Sequence, residues 1–213
     1  MDNEKLIAAK EQWARQGRGL TGSPSARATR LPPGQHTTQG LPVLDLGKQP
    51  LIDTRDWRFT VAGAIERPLE WTWAAFQNAP QVEIKADIHC VTTWSSYDNV
   101  FTGVPVSYLL EQVKPKPSAR FVMARSFDGY STNLPLADLQ ADSVLLAHTW
   151  NGQPFDREHG GPVRLLVPHL YFWKSAKWVR HLTFMEQDQP GFWEARGYHR
   201  RGDPWSEERY GSR

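Results

Sequence analysis

Val82-Glu83-Ile84-Lys85-Ala86-Asp87-Ile88-His89-Cys90-Val91-Thr92-Thr93-Trp94 is the stretch on which the reading of this chain turns. Val82, Ile84, Ala86, Ile88 and Cys90 occupy alternate positions, opposite Glu83, Lys85, Asp87 and His89, and a period of two sends one set toward a core and the other toward solvent. The pattern predicts a strand with Cys90 pointing inward at its end. Residues 91–99 are polar and read as a loop, so Cys90 sits where a pleated scaffold gives way to irregular chain. Sites are built at such junctions, with the strand fixing the functional atom and the loop shaping the pocket. Cys90 is the one cysteine in 213 residues, which excludes an intramolecular disulfide and any zinc site needing two thiolates. Its thiol can be a small buried hydrophobe, a nucleophile or a metal ligand. A nucleophile needs a base, and His89 faces the other side of a regular strand, so His148 or His169 would have to be brought in by folding.

Outward from this stretch the chain reads as short strands among short helices. Trp57, Phe59 and Val61 alternate with Arg58 and Thr60, and Thr72 is placed to cap a helix through Phe76. A helix is expected over 107–113, strands over 121–125, 144–150, 163–167 and 178–185, a turn at Asp128-Gly129, and a tight hairpin at Asn151-Gly152. The fold class is therefore α+β, with a mixed sheet, short helices and long loops. Residues 3–16 have helical spacing between Asn3 and Gly17, while 17–50 show neither period and are either a linker or an arm laid over the domain. The expected division is 1–50 as helix and arm, 51–187 as the main domain, and 188–213 as an aromatic tail packed on it.

With 25 Lys+Arg against 23 Asp+Glu, spread along the sequence, the formal net charge of +2 lacks the basic footprint of a nucleic-acid binder. No run approaches the ~18 apolar residues of a membrane span. Met1-Asp2-Asn3-Glu4-Lys5 has no secretory character, so a cytoplasmic location is expected. Ten Trp suit core packing, a cofactor pocket or a carbohydrate platform.

A second cluster, His159-Gly160-Gly161-Pro162-Val163-Arg164 followed by 168–179, sets Arg164, Lys174, Ser175 and Lys177 among aromatics. Paired glycines allow close backbone approach, and these donors suit phosphate oxygens on a flat heterocycle. Cys90-Val91-Thr92-Thr93-Trp94, Gly103-Val104-Pro105-Val106, Asp128-Gly129-Tyr130, Gly160-Gly161-Pro162-Val163-Arg164 and Trp173-Lys174-Ser175-Ala176-Lys177-Trp178-Val179, in that order, resemble the sulfite-oxidase family of molybdenum enzymes, and within it the short single-domain bacterial oxidoreductases.

The resemblance implies a sulfite-oxidase-type molybdopterin-binding domain. Cys90 would ligate molybdenum, and the pterin phosphate would lie among Arg164, Ser175, Ala176 and Lys177. It further implies polar pterin contacts at His159, where relatives often carry Asn, and near Ser126. Relatives also contact the pterin from the arm, here around residues 30–36. The expected activity is oxygen-atom transfer, with reduction of a small S- or N-oxide favoured over sulfite oxidation because no arginine cluster awaits a dianion. A single cysteine leaves no thiols for an iron–sulfur cluster or covalent haem, so a separate electron-transfer partner is expected. Two other classes remain open on the residues alone: a metal-free Trp-rich carbohydrate-binding module and a cysteine hydrolase.

Overall fold

The computed structural model describes residues 30–211 and, ahead of them, Ile7, Ala8 and Gln12, which are helical; the rest of the helix expected over 3–16, and 17–29 of the arm, lie outside the described residues. Two mixed sheets carry the architecture. One has six strands, in the order β1 (His36–Thr38), β5 (Trp94–Pro105), β8 (Leu145–Trp150), β10 (Arg164–Leu166), with β4 (Val82–His89) also on β5 and β9 (Gln153–Pro154) on β8. The other runs β3 (Leu69–Thr72), β2 (Arg58–Gly63), β11 (Val179–Met185), β6 (Phe121–Ser126), β7 (Ser131–Pro135). β1 with β5 and β2 with β11 are parallel, and the remaining pairs are antiparallel. The helices are short: α1 (Trp73–Asn78), α2 (Val106–Val113) and α3 (Leu136–Leu139).

Local chemistry explains these boundaries. Ala75 N donates to Thr72 Oγ1 at 3.2 Å at the start of α1, a cap worth about 1 kcal/mol. Asn151 and Gly152 both have positive φ, as a two-residue hairpin demands. The six-stranded sheet is buried on both faces where β8 meets β10. Leu146 and Leu165 join the core that also holds Val61, Val122 and Leu182 of the other sheet, while Leu145, Ala147 and Leu166 face a second core with Ile88, Cys90 and Tyr171. Among the described residues no helix is long and apolar enough to cross a membrane.

The polar stretch read as a loop is the main correction. Irregular chain lasts only from Cys90 to Thr93, and residues 94–105 form the twelve-residue central strand β5. Its polar side chains are buried because they satisfy one another: Ser95 Oγ bonds His89 Nδ1 at 2.8 Å, Asn99 Nδ2 donates to Ser96 O at 3.0 Å, and Trp150 Nε1 donates to Asn99 Oδ1 at 2.9 Å. The β4–β5 register shifts between Ala86 and Ile88, and beyond that irregularity Ile88, His89 and Cys90 are all buried. His89, expected toward solvent, lies under the Trp205 ring of the tail. Residues 30–50 run along the domain, with β1 adding a strand to β5.

Candidate active site

The turn after β4 is closed by two backbone bonds, Cys90 N to Trp94 O at 2.8 Å and Thr93 N to Cys90 O at 3.0 Å. Thr93 takes φ 76°, a left-handed conformation that costs a non-glycine residue about 1–2 kcal/mol and persists only where the surroundings enforce it. Enforcement comes from distant chain. Gln35 Nε2 donates to Cys90 O (3.0 Å), His36 N to Thr93 O (2.8 Å), and Arg209 Nη1 to Val91 O (2.7 Å).

The Cys90 thiol is 5% exposed, with Sγ 3.1 Å from Thr92 Oγ1. Burial pushes its pKa up, against the Thr92 hydrogen bond and the charge of Arg209. An anionic sulfur here calls for a cation facing it, which a metal supplies. Among the described residues the candidate histidine bases are engaged elsewhere: His89 is bonded to Ser95, His148 packs edge-on against Phe76, and His169 bonds Asp138. A cysteine hydrolase therefore lacks its second component.

Cys90 opens into a cleft of ≈ 800 Å³, mouth included, whose wall also carries Arg164, Ser175 and Lys177. Arg164, at the start of β10, is 1% exposed. Its Nη1 donates to His159 O and its Nη2 to Ser175 O, both at 2.9 Å, and its guanidinium lies 4.1 Å from the Phe172 ring centroid. Nε has no partner, and none of the ion pairs among the described residues supplies a carboxylate. Burial alone pushes the pKa of this group down to about 9. A buried guanidinium with two carbonyls and no carboxylate could pair with an anion brought from outside the protein. Trp94, Phe172 and Trp178 add flat apolar faces to the same wall, Trp94 packing edge-on against Phe172. The donor set thus fits a group bearing a metal at one end, a planar ring system between, and a phosphate at the other.

The structure brings Cys90, Arg164, Ser175 and Lys177 together and leaves the other expected residues behind the wall. Ser175 Oγ accepts from Val167 N (2.9 Å), and Lys177 Nζ donates to Glu158 O (2.5 Å). Both His159 ring nitrogens are engaged, Nδ1 by Asp156 (2.7 Å) and Nε2 by Leu41 O (2.9 Å), so its contribution to the cleft is the carbonyl that holds Arg164. Ala176 is in the core with its carbonyl accepting from Leu165 N, and Ser126, its Oγ buried and unpartnered, pairs with Val179 beneath the Tyr130 turn. Lys174, grouped by sequence with the anion donors, points away: fully buried, it donates to Glu194 (2.6 Å), Asn133 O (2.7 Å) and Arg200 O (2.6 Å). The Gly160-Gly161 pair is crowded by protein rather than open to a ligand, since a Cβ would meet Lys177 Cβ at 2.8 Å and Phe155 O at 2.2 Å. Sequence reasoning missed the arm's Pro42, Leu44 and Leu46 on the cleft wall, where no periodicity marked them; Trp193 and Tyr198 were signalled only by the aromatic tail.

A mixed two-sheet domain holding one inward thiol and one guanidinium without a carboxylate in a single cleft has the donors that a metal borne by a phosphorylated organic cofactor would require. Residues 46–193 match the family described as the oxidoreductase molybdopterin-binding domain. The chain belongs to that family, and it is a molybdopterin-dependent oxidoreductase. It is 44% identical over 187 residues to the uncharacterized oxidoreductase YuiH of Bacillus subtilis, covering 87% of this chain and 94% of that one. It is 28% identical over 153 residues to the protein-methionine-sulfoxide reductase catalytic subunit MsrP of Ralstonia nicotianae, covering 64% of this chain and 46% of that relative. The fold is of the sulfite-oxidase type: the sulfane dehydrogenase SoxCD from Paracoccus pantotrophus aligns with a TM-score of 0.60 and 25% identity over 65% of this chain and 40% of its own. The chain thus spans less than half of the Ralstonia MsrP and the SoxCD chains.

Proposed function

We propose that this protein reduces a small S- or N-oxide by oxygen-atom transfer at a molybdenum centre, with Cys90 as the protein ligand to the metal. The observation that carries the reading is the pairing of the Cys90 thiol and the anion-free Arg164 on one wall. Arg164, Ser175 and Lys177 hold the phosphate, with His159, Ala176 and Ser126 supporting them from behind. The cofactor supplies two-electron oxygen-atom chemistry. The chain's residues hold it, exclude water with Trp94, Phe172 and Trp173, and admit substrate through a mouth shared with the arm and the tail.

Reduction is favoured over sulfite oxidation by charge. The cations on the cleft wall are Arg164 and Lys177, both committed to the phosphate, and Asp45 and Asp128 stand on the same wall, so a dianion meets repulsion rather than a clamp. MsrP relatives are protein-methionine-sulfoxide reductases by name, which supports the same direction. In each turnover a sulfoxide takes up a pair of electrons and a pair of protons, its sulfur–oxygen bond breaks, and a thioether and water leave. A chain with one cysteine holds no cluster to relay those electrons, so a separate redox partner delivers them. Metal-loaded protein is expected to oxidise a reduced viologen dye with sulfoxides or N-oxides and to leave ferricyanide unreduced by sulfite. Rapid sulfite turnover without oxide reduction would reject the reading.

A further inference from the structure

The ligand turn is held by chain that lies outside the matched domain. Residues 46–193 carry the family match, yet the acceptors of the Cys90–Thr93 turn are met by Gln35 and His36 on one side of that span and by Arg209 on the other. Arg209 is the charged member. Its Nη1 donates to Val91 O at 2.7 Å, its Nη2 to Pro33 O at 3.2 Å, and its guanidinium lies 5.1 Å from the centroid of buried Tyr171, which stacks on Trp173 of the cleft wall. One planar fork thus joins the arm, the ligand turn and the tail, and a guanidinium suits this because its donors are fixed in one plane. We propose that Arg209 is a positioning residue for the metal centre: it fixes the Val91 carbonyl of the residue after Cys90 and sets a positive charge on the turn that carries the ligand, raising the reduction potential of the metal bound there.

The physical basis is that groups outside the ligand set orient the ligands and tune the metal, and their loss typically costs about 10- to 100-fold in metal affinity or activity. A cation beside the thiolate stabilises the electron-richer state of the centre, so removing it makes reduction harder. The phosphate end is untouched by this exchange, because Arg164 and Lys177 lie on the β10–β11 side of the cleft.

The proposal rests on Cys90 as the metal ligand, and the experiment separates the two. Holoenzyme is prepared as wild type, Arg209→Gln, Arg209→Met, Arg209→Lys and Cys90→Ser, and read by pterin content, the molybdenum(V) paramagnetic resonance signal and the midpoint potential. The methionine variant keeps a chain of similar length over Tyr171 and serves where glutamine disturbs folding. Expected are near-wild-type pterin content, an altered signal and a lowered potential in the two neutral variants, kcat lower by about tenfold, and recovery of the potential in Arg209→Lys. Wild-type signal and potential in both neutral variants, with Cys90→Ser altered, would overturn the role of Arg209 alone. A wild-type signal in Cys90→Ser would overturn the ligand assignment, and this proposal with it.

Discussion

Arg164 opens β10 and Lys174 lies in the loop between β10 and β11, both cationic and both withdrawn from solvent, at 1% and 0% exposure. Lys174 is neutralised from within. Glu194 lies at 2.6 Å, itself fully buried, and its carboxylate also accepts from Trp173 Nε1 and Thr132 Oγ1 at 2.9 Å each. Arg164 has carbonyls and aromatic faces but no carboxylate. Two buried charges in neighbouring chain have been settled in opposite ways, one with a protein counter-ion and one without. A cation whose anion comes from the protein serves the fold; a cation left short of an anion is the one a bound group can pair with, the role proposed for Arg164.

The contrast can be broken first at its strongest point. Glu194→Gln leaves Lys174 buried without its counter-ion, and breaking a buried pair from one side costs about 3–5 kcal/mol. Denaturant unfolding of cofactor-free protein is expected to show that loss, and a wild-type midpoint would mean the pair contributes nothing to the fold.

Arg164→Met should behave the other way round. Losing charge-assisted bonds worth about 1.5–3 kcal/mol each lowers cofactor affinity about 10- to 100-fold. The stability of the cofactor-free chain should stay within about 1 kcal/mol, because relief of an unpaired buried charge offsets two orphaned carbonyls. Pterin content and unfolding midpoint, measured on the same preparations, decide it; equal destabilisation in the Arg164 and Glu194 variants would erase the distinction between the two cations.

Lys177→Ala sharpens the comparison at the same wall. One cation-to-phosphate contact is removed from a side chain that also holds Glu158 O, and a loss of about tenfold in cofactor retention is expected. Unchanged loading would place the phosphate away from Lys177.

The smallest effect concerns a third ion, the Asp138 carboxylate. Burial works to raise its pKa, but hydrogen bonds from His169 and Arg201 outweigh it and hold the group at about 2. A carboxylate depressed in the folded state contributes stability that is complete above its unfolded pKa of about 3.9 and is lost as pH falls through about 2. With its arginine partner 43% exposed, that contribution is about 1 kcal/mol or less. The gap between wild type and Asp138→Asn should therefore be constant near neutral pH and close on acid titration between pH 4 and 2, by roughly those pKa limits. A gap that persists at pH 2 would assign the contribution to packing.

Much of the frame was legible because local rules act over a few residues. Thr72 as a cap and Asn151-Gly152 as a hairpin depend on neighbours in sequence, and each appears where the pattern puts it; the alternation leading to Cys90 marks a strand with Cys90 buried at its end, but Val82 is exposed and His89 buried against the pattern. The central strand was not legible, because Ser95, Ser96 and Asn99 have the polarity of a loop until Gln35, His89 and Trp150 arrive to satisfy them. The grouping of Lys174 with the anion donors failed for the same reason: its counter-ion enters from the tail, and no local pattern announces Glu194. The clamp on the Cys90 turn was equally hidden, since Gln35 and Arg209 reach it from opposite sides of the matched span.

That clamp also orders events in time. During synthesis β4, the Cys90 turn and the start of β5 emerge long before residue 209, and until the tail docks, the Val91 carbonyl lacks its guanidinium and Lys174 its carboxylate. The cleft takes its final shape only after chain on both flanks has been made and folded back. A product ending before Glu194 keeps Cys90 and most of the cleft wall, but it lacks the counter-ion of Lys174, the Tyr198 side of the wall and the Arg209 bond to the Val91 carbonyl.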